Sequence, residues 1–131
     1  FLPGDAARRW QTIQWVHFQM GGIGPMFGTL GFFHKFAGRE YEDKRPLQRY
    51  VGESKRLLGV MDERLKGRHW FMDDEYTIAD IAMLGWVRNL IGFYAAGELV
   101  GFDEFRNVAG WLERGLARPA VQRGLDIPKR A

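Results

Sequence analysis

Thr77-Ile78-Ala79-Asp80-Ile81-Ala82-Met83-Leu84-Gly85-Trp86-Val87 is the stretch that decides the fold of this 131-residue chain. Thr77 is a favourable N-cap residue, and Asp80 can accept a hydrogen bond from the Thr77 backbone N–H, so the two predict a capping box. After Asp80 no charged residue occurs before Arg88. A helix that is apolar on all sides lies inside a protein. The stretch therefore predicts a buried central helix over about 78–94, although a capping box alone carries no chemistry.

Apolar residues at helical spacing predict further helices before and after this stretch. Pro25, after a glycine cluster at 21–28, is expected to kink or interrupt the first helix. From 30 to 44 the periodicity is lost, which predicts a long aromatic loop of the kind that is often functional. The sequence therefore predicts an all-α bundle of about five helices around the central one. They are expected near residues 6–20, briefly after 25, and near 45–66, 103–117 and 119–124.

Composition excludes several classes of function. Apolar residues make up 46% of the chain, enough to bury a core, and the net charge is only +3 without a long Lys/Arg run, which argues against nucleic acid. No apolar run reaches membrane-spanning length. The chain has no cysteine, and His17, His34 and His69 lack metal-ligand spacing, so no metal is expected. The glycine cluster lacks the context of a phosphate loop, and close approach of another backbone, subunit or ligand is the better interpretation.

The residues around the capping box resemble a known family. Trp70-Phe71-Met72-Asp73-Asp74-Glu75-Tyr76 and the following 77–81 are similar to the N-capping region of the C-terminal helical domain of glutathione transferases, and Arg118-Pro119-Ala120-Val121 is similar to the end of that domain. The segment 15–28 resembles its first helix in the bacterial nu-class branch, the disulfide-bond-reductase-like transferases. Arg49-Tyr50, followed by Glu53, Arg56 and Leu57, resembles the next helix. The resemblance covers 1–131 as one domain.

The resemblance implies where a site would lie. In this family a thioredoxin-like N-terminal domain, which this chain does not resemble, binds most of the glutathione cosubstrate and activates its thiol. Arg49 holds the place of an arginine that reaches glutathione; pairing with Glu53 on the surface is the alternative. The helical domain lines the electrophile site, and the expected wall comprises Met26, Phe27, Phe32, Phe33 and Phe36. Ordinary loop packing would also explain these aromatic residues. Thr29 and Phe32 replace the Gln and His common in the branch, which leaves the substrate open.

The expected function is therefore the C-terminal domain of a cytoplasmic, homodimeric glutathione transferase that acts on a small electrophile, peroxide or disulfide. The chain by itself is expected to be inactive, because the thiol-activating domain is missing from it. No metal, nucleic-acid or membrane partner is expected. The alternative is a non-catalytic binding or structural module with the same helical fold.

Overall fold

Helix α4 (Ile78–Ile91) begins with the capping box that the sequence predicts. The Thr77 N–H donates to Asp80 Oδ2 at 3.0 Å, and Thr77 Oγ1 accepts a hydrogen bond from the Ala79 N–H at 3.3 Å. Both Thr77 and Asp80 are fully buried. The first turn of the central helix is therefore capped by two buried side chains.

Six further α-helices accompany α4 in this computed structural model, which describes residues 1–128. About five were expected, and the additional one is a single turn at a segment that the sequence predicted as a turn. Within the described residues the only β features are two isolated bridges in the 70–75 connection, so the predicted all-α class is confirmed. The helices are α1 (Ala6–Phe18), α2 (Gly24–Lys35), α3 (Arg45–Leu65), α5 (Gly97–Val100), α6 (Arg106–Leu116) and α7 (Pro119–Leu125).

The interruption predicted near Pro25 occurs as a π-helical turn, Gln19–Ile23, between α1 and α2. The Gly24 N–H donates to the carbonyl of Gln19, five residues earlier. Pro25 follows directly in α2 and has no N–H to donate to the preceding turn, which accounts for the interruption of the regular α-helical pattern here. A Cβ on Gly24 would lie 3.2 Å from the Trp86 indole, so the small residue allows α2 to approach α4 closely.

The prediction of a loop over 30–44 is wrong for its first part, because α2 continues to Lys35. Tertiary packing stabilises the last turns of α2, although the sequence shows no helical periodicity there. Leu30 is fully buried, and a Cβ on Gly31 would lie 2.5 Å from the Tyr94 ring, so only glycine admits that ring. A short 3₁₀-helical turn, Ala37–Glu40, then leads toward α3.

The prediction that α4 is buried on all sides is also wrong. Met83, Val87 and Leu90 face the core, but Ile81 is 45% exposed and Arg88 is exposed on the opposite side. Helix α4 packs against α1, α2 and α6 on its inner side. It ends at Ile91, before the expected end near 94, because the chain then turns through Ala95, whose φ is +52°.

One apolar core joins these helices. Its members come from every α-helix except α1 and α7, from the π-helical turn, from the 70–77 connection and from the turn after α4. The largest fully buried side chains are Trp111, Phe27, Phe71, Ile23, Leu30, Leu57, Leu58, Met61, Leu65, Met72, Met83 and Leu90.

Candidate functional site

Arg49 lies on the first turns of α3, and its side chain is exposed. The expected alternative, an ion pair with Glu53, does not form. Glu53 instead accepts two hydrogen bonds from Arg56, at 2.9 Å and 2.8 Å. Hydrogen bonding from Arg56 lowers the pKa of the Glu53 carboxyl, and the nearby charge of Arg49 adds to this effect. Within residues 1–128 the Arg49 guanidinium makes no ion pair, so its planar fork can bind a carboxylate in two parallel hydrogen bonds.

Aromatic side chains from α2, α3 and the intervening segment meet beside the start of α3. Phe33 stacks on Tyr50, with ring centroids 5.8 Å apart and ring planes inclined by 12°. Phe33 also meets the edges of Phe32 and Tyr41, at 5.1 Å and 6.0 Å. These four residues form what we call the Phe33 cluster. Phe32 and Tyr41 are partly exposed, so the cluster presents an aromatic surface beside the start of α3, where Tyr50 directly follows Arg49 in the chain.

The other expected wall residues do not join the Phe33 cluster. The ring of Phe36 instead packs against Phe93 at 6.0 Å and Tyr94 at 6.2 Å. Met26 is half-buried against the core. Phe27 is fully buried, so the prediction that it lines a substrate site is wrong: its side chain belongs to the core.

Asp80 does more than cap α4, because its buried carboxylate accepts hydrogen bonds from three N–H donors in two other segments. Besides Thr77, it accepts from the Phe71 N–H at 3.1 Å and from Trp111 Nε1 at 2.9 Å. Burial raises the pKa of this carboxyl above its ordinary value, although the hydrogen bonds act in the opposite direction. Asp80 therefore joins the 70–77 connection, α4 and α6, and its role is structural.

Two further polar contacts brace the same region. The Asp62 carboxylate on α3 accepts hydrogen bonds from the backbone N–H groups of Asn107 and Val108, at 2.8 Å and 3.0 Å, and so caps α6 from another helix. Arg64 donates two hydrogen bonds to the Phe71 carbonyl and lies over the Trp15 ring. Desolvation by burial lowers the pKa of the Arg64 guanidinium.

Sequence reasoning missed several of these residues. Tyr41 belonged to no motif, and Tyr50 was part of the Arg49-Tyr50 resemblance without being assigned to the site. The pairing of Glu53 with Arg56 could have been predicted from their i,i+3 spacing on a helix. The contact of Asp62 with α6 joins positions far apart in the chain, for which no local signal exists.

Two absences hold for the described part of the chain. Residues 1–128 contain no group of three or more His, Asp or Glu side chains arranged to hold a metal ion. Across the same residues, no helix combines the length and apolar character needed to cross a bilayer.

Comparison with known proteins places this geometry in a family. The family model described as "Glutathione S-transferase, C-terminal domain" matches residues 25–119. The chain is 36% identical to the Escherichia coli disulfide-bond oxidoreductase YghU over 126 residues, which cover 95% of this chain and 43% of that protein.

Solved structures agree with that match. The chain is 68% identical to a Burkholderia graminis glutathione transferase with two glutathione molecules bound per subunit, with a TM-score of 0.96 over 99% of this chain and 54% of that one. It is 65% identical to a Pseudomonas putida glutathione transferase with one glutathione disulfide bound per subunit, with a TM-score of 0.94 over 97% of this chain and 55% of that one.

The chain thus spans about half the length of these relatives. The family model covers most of the chain, and the all-α fold agrees with the neighbouring structures. The chain therefore belongs to the glutathione S-transferase family, as a C-terminal domain.

Proposed function

We propose that this chain is the helical domain of a glutathione-dependent transferase or disulfide reductase. In that enzyme, Arg49 binds a carboxylate of glutathione. The observation that carries the proposal is the exposed Arg49 guanidinium, which makes no ion pair within residues 1–128. Its closest carboxylate on the same helix face, Glu53, is held by Arg56. The proposal is supported by the Burkholderia graminis and Pseudomonas putida relatives, which have glutathione or its disulfide bound.

The acceptor substrate is proposed to contact the aromatic surface next to Arg49. Phe32 and Phe33 are the expected wall residues that lie there, and Tyr41 and Tyr50 extend the surface. Aromatic faces suit a small apolar electrophile, peroxide or disulfide, because they give contact area at low cost in conformational entropy. Phe36 and Met26 remain candidates for the outer part of the same wall.

Partners follow from the length of the relatives and from exposed apolar side chains. We propose a thioredoxin-like domain as the partner that activates the glutathione thiol, and a homodimer as the assembly. Trp10 is 68% exposed, Met20 64% and Phe93 51%, and apolar groups of this size favour coverage by another protein surface. A cytoplasmic location fits, because glutathione keeps that compartment reducing.

The test is calorimetric titration of glutathione into the intact protein and its variants. Arg49→Ala should weaken glutathione binding by about 1.5–3 kcal/mol, the scale of a hydrogen bond to a charged group. Arg49→Lys should recover only part of the loss, because a point charge lacks the planar fork. The matched control is Arg45→Ala, since Arg45 is an exposed arginine of the same helix already paired with Asp43.

Unchanged affinity in Arg49→Ala would remove Arg49 from the site. An equal loss of glutathione affinity in Arg45→Ala would mean that Arg49→Ala acts only through the general surface charge. If the intact protein bound no glutathione at all, the alternative of a non-catalytic module with this fold would be favoured.

A further inference from the structure

A polar cavity lies far from Arg49, between the end of α3 and α6. Its volume is about 250 Å³, and it is lined by Leu65, Gly67, Arg68, His69, Arg106, Asn107, Gly110 and Arg114. Arg49 and Leu65 are separated by sixteen residues of one helix, or ~24 Å at 1.5 Å per residue. The cavity is therefore separate from the proposed glutathione site.

Positive charge dominates the lining of this cavity. Three of its residues are arginines, and none is Asp or Glu. Two acidic neighbours are already engaged at its edge: Asp73 binds Arg68 at 2.8 Å, and Asp74 binds His69 at 2.7 Å. Nearby Asp62 accepts the N–H groups at the start of α6. Two guanidiniums, those of Arg106 and Arg114, line the cavity without a carboxylate partner among residues 1–128.

The Arg114 side chain extends along α6 toward the turn that carries Arg106. Arg114 Nη1 lies only 3.2 Å from the position that a Cβ on Gly110 would take, so the Arg114 side chain extends back toward the start of the helix. Gly110 is one turn from Arg106, a rise of ~6 Å, which an arginine side chain can span. Arg114 Nη2 donates one hydrogen bond to the His69 carbonyl, and its remaining N–H groups are available to a ligand.

We propose that this cavity binds a small phosphorylated compound, with its phosphate group held between Arg106 and Arg114. A phosphate dianion offers three acceptor oxygens, and guanidinium forks match its geometry in two parallel hydrogen bonds. A carboxylate offers only two oxygens and cannot engage two forks equally well. The cavity is larger than a phosphate group, so it leaves room for a small organic group attached to it.

The test is titration of inorganic phosphate into the intact protein at low salt, followed by calorimetry and by amide NMR shifts of Gly67 and Gly110. Saturable binding that shifts these two amides is the expected result. The double variant Arg106→Gln/Arg114→Gln should weaken it by about tenfold or more, the factor for losing one or more hydrogen bonds to a charged group. The charge-matched control is Arg9→Gln/Arg123→Gln, because both arginines are exposed on other helices.

Because Arg114 also braces the His69 carbonyl, Arg106→Gln alone is the second variant, and circular dichroism checks its fold. Loss of binding in Arg106→Gln with an unchanged fold supports the proposal. Absence of saturable binding, an equal loss in the control pair, or equal affinity for acetate at the same ionic strength would overturn it. Each of these outcomes is independent of glutathione binding, which is measured in a separate titration.

Discussion

Removal of the Asp80 carboxylate should cost more stability than a helix cap normally supplies. In Asp80→Ala, three buried N–H donors lose their acceptor: the backbone groups of Thr77 and Phe71 and the Trp111 indole. At about 1–1.5 kcal/mol for each hydrogen bond, the loss is roughly 3–4.5 kcal/mol. Removing a desolvated carboxylate returns part of this, so we expect a net loss of about 3 kcal/mol. Thr77→Ala removes only the two long contacts of the Thr77 hydroxyl, with the Ala79 N–H and Asp80 Oδ2, and should cost about 1 kcal/mol.

Urea unfolding followed by far-UV circular dichroism measures these differences. The matched control is Asp74→Ala, because Asp74 is an exposed acid of the same connection whose side chain is 90% exposed, and it should change the free energy of unfolding little. Trp111→Phe keeps most of the ring but removes the indole N–H. The double variant Asp80→Ala/Trp111→Phe should cost about 1 kcal/mol less than the sum of the singles, because the indole donor is no longer left unpaired.

Two outcomes would contradict these expected losses of stability. If Asp80→Ala costs no more than Thr77→Ala, the contacts to Phe71 and Trp111 contribute nothing beyond the cap. If the losses in Asp80→Ala and Trp111→Phe are strictly additive, the hydrogen bond between these two side chains is absent in solution.

Burial raises the pKa of the Asp80 carboxyl, so its contribution to stability should fall as pH rises from about 4 through the raised pKa. In urea melts, the wild type should exceed Asp80→Asn in free energy of unfolding by less near neutral pH than near about pH 4. A difference that grows with pH would contradict this. Gly31→Ala should lower the free energy of unfolding by roughly 1–2 kcal/mol, because its Cβ would overlap the Tyr94 ring. Gly52→Ala, whose Cβ meets no neighbour, should raise it by about 0.5–1 kcal/mol, and the reverse order in thermal melts would contradict both. The 131-residue chain by itself should show no glutathione conjugation or disulfide reduction, and a rate above that of a mock purification would contradict this.

Helix starts were predictable because caps and prolines act locally. Pro46 and the Thr77–Asp80 pair mark the starts of α3 and α4 in the sequence, and both helices begin there. The last turn of α2 was missed because Gly31 removes the local signal and Tyr94, far along the chain, supplies the packing. The exposed side of α4 was missed because Ile81 is apolar yet faces outward.

The candidate site was predictable only in part, for similar reasons. The position of Arg49 on α3 followed from helical spacing, and the structure leaves its side chain exposed as expected. Phe27 was assigned to the site wall, yet Ile23, Phe27 and Leu30 have the i, i+4, i+7 spacing of a buried helix face, and this period predicts burial better than aromatic character does. The basic cavity brings together residues from α3 and α6, and no spacing within one segment encodes it.

The π-helical turn at Gln19–Ile23 also limits which insertions and deletions the family can accept here. Its wide turn carries one residue more than an α-helix of the same length would need. Deleting that one residue would let α1 and α2 merge into a regular helix with their relative rotation largely preserved, whereas inserting a residue or deleting a second one would rotate α2 by roughly 100° about its axis. Phe27 and Leu30 would then leave the core, and the glycines that face Trp86 and Tyr94 would turn away from those rings. The packing on both sides of the turn should therefore tolerate loss of the one extra residue but no other change in length.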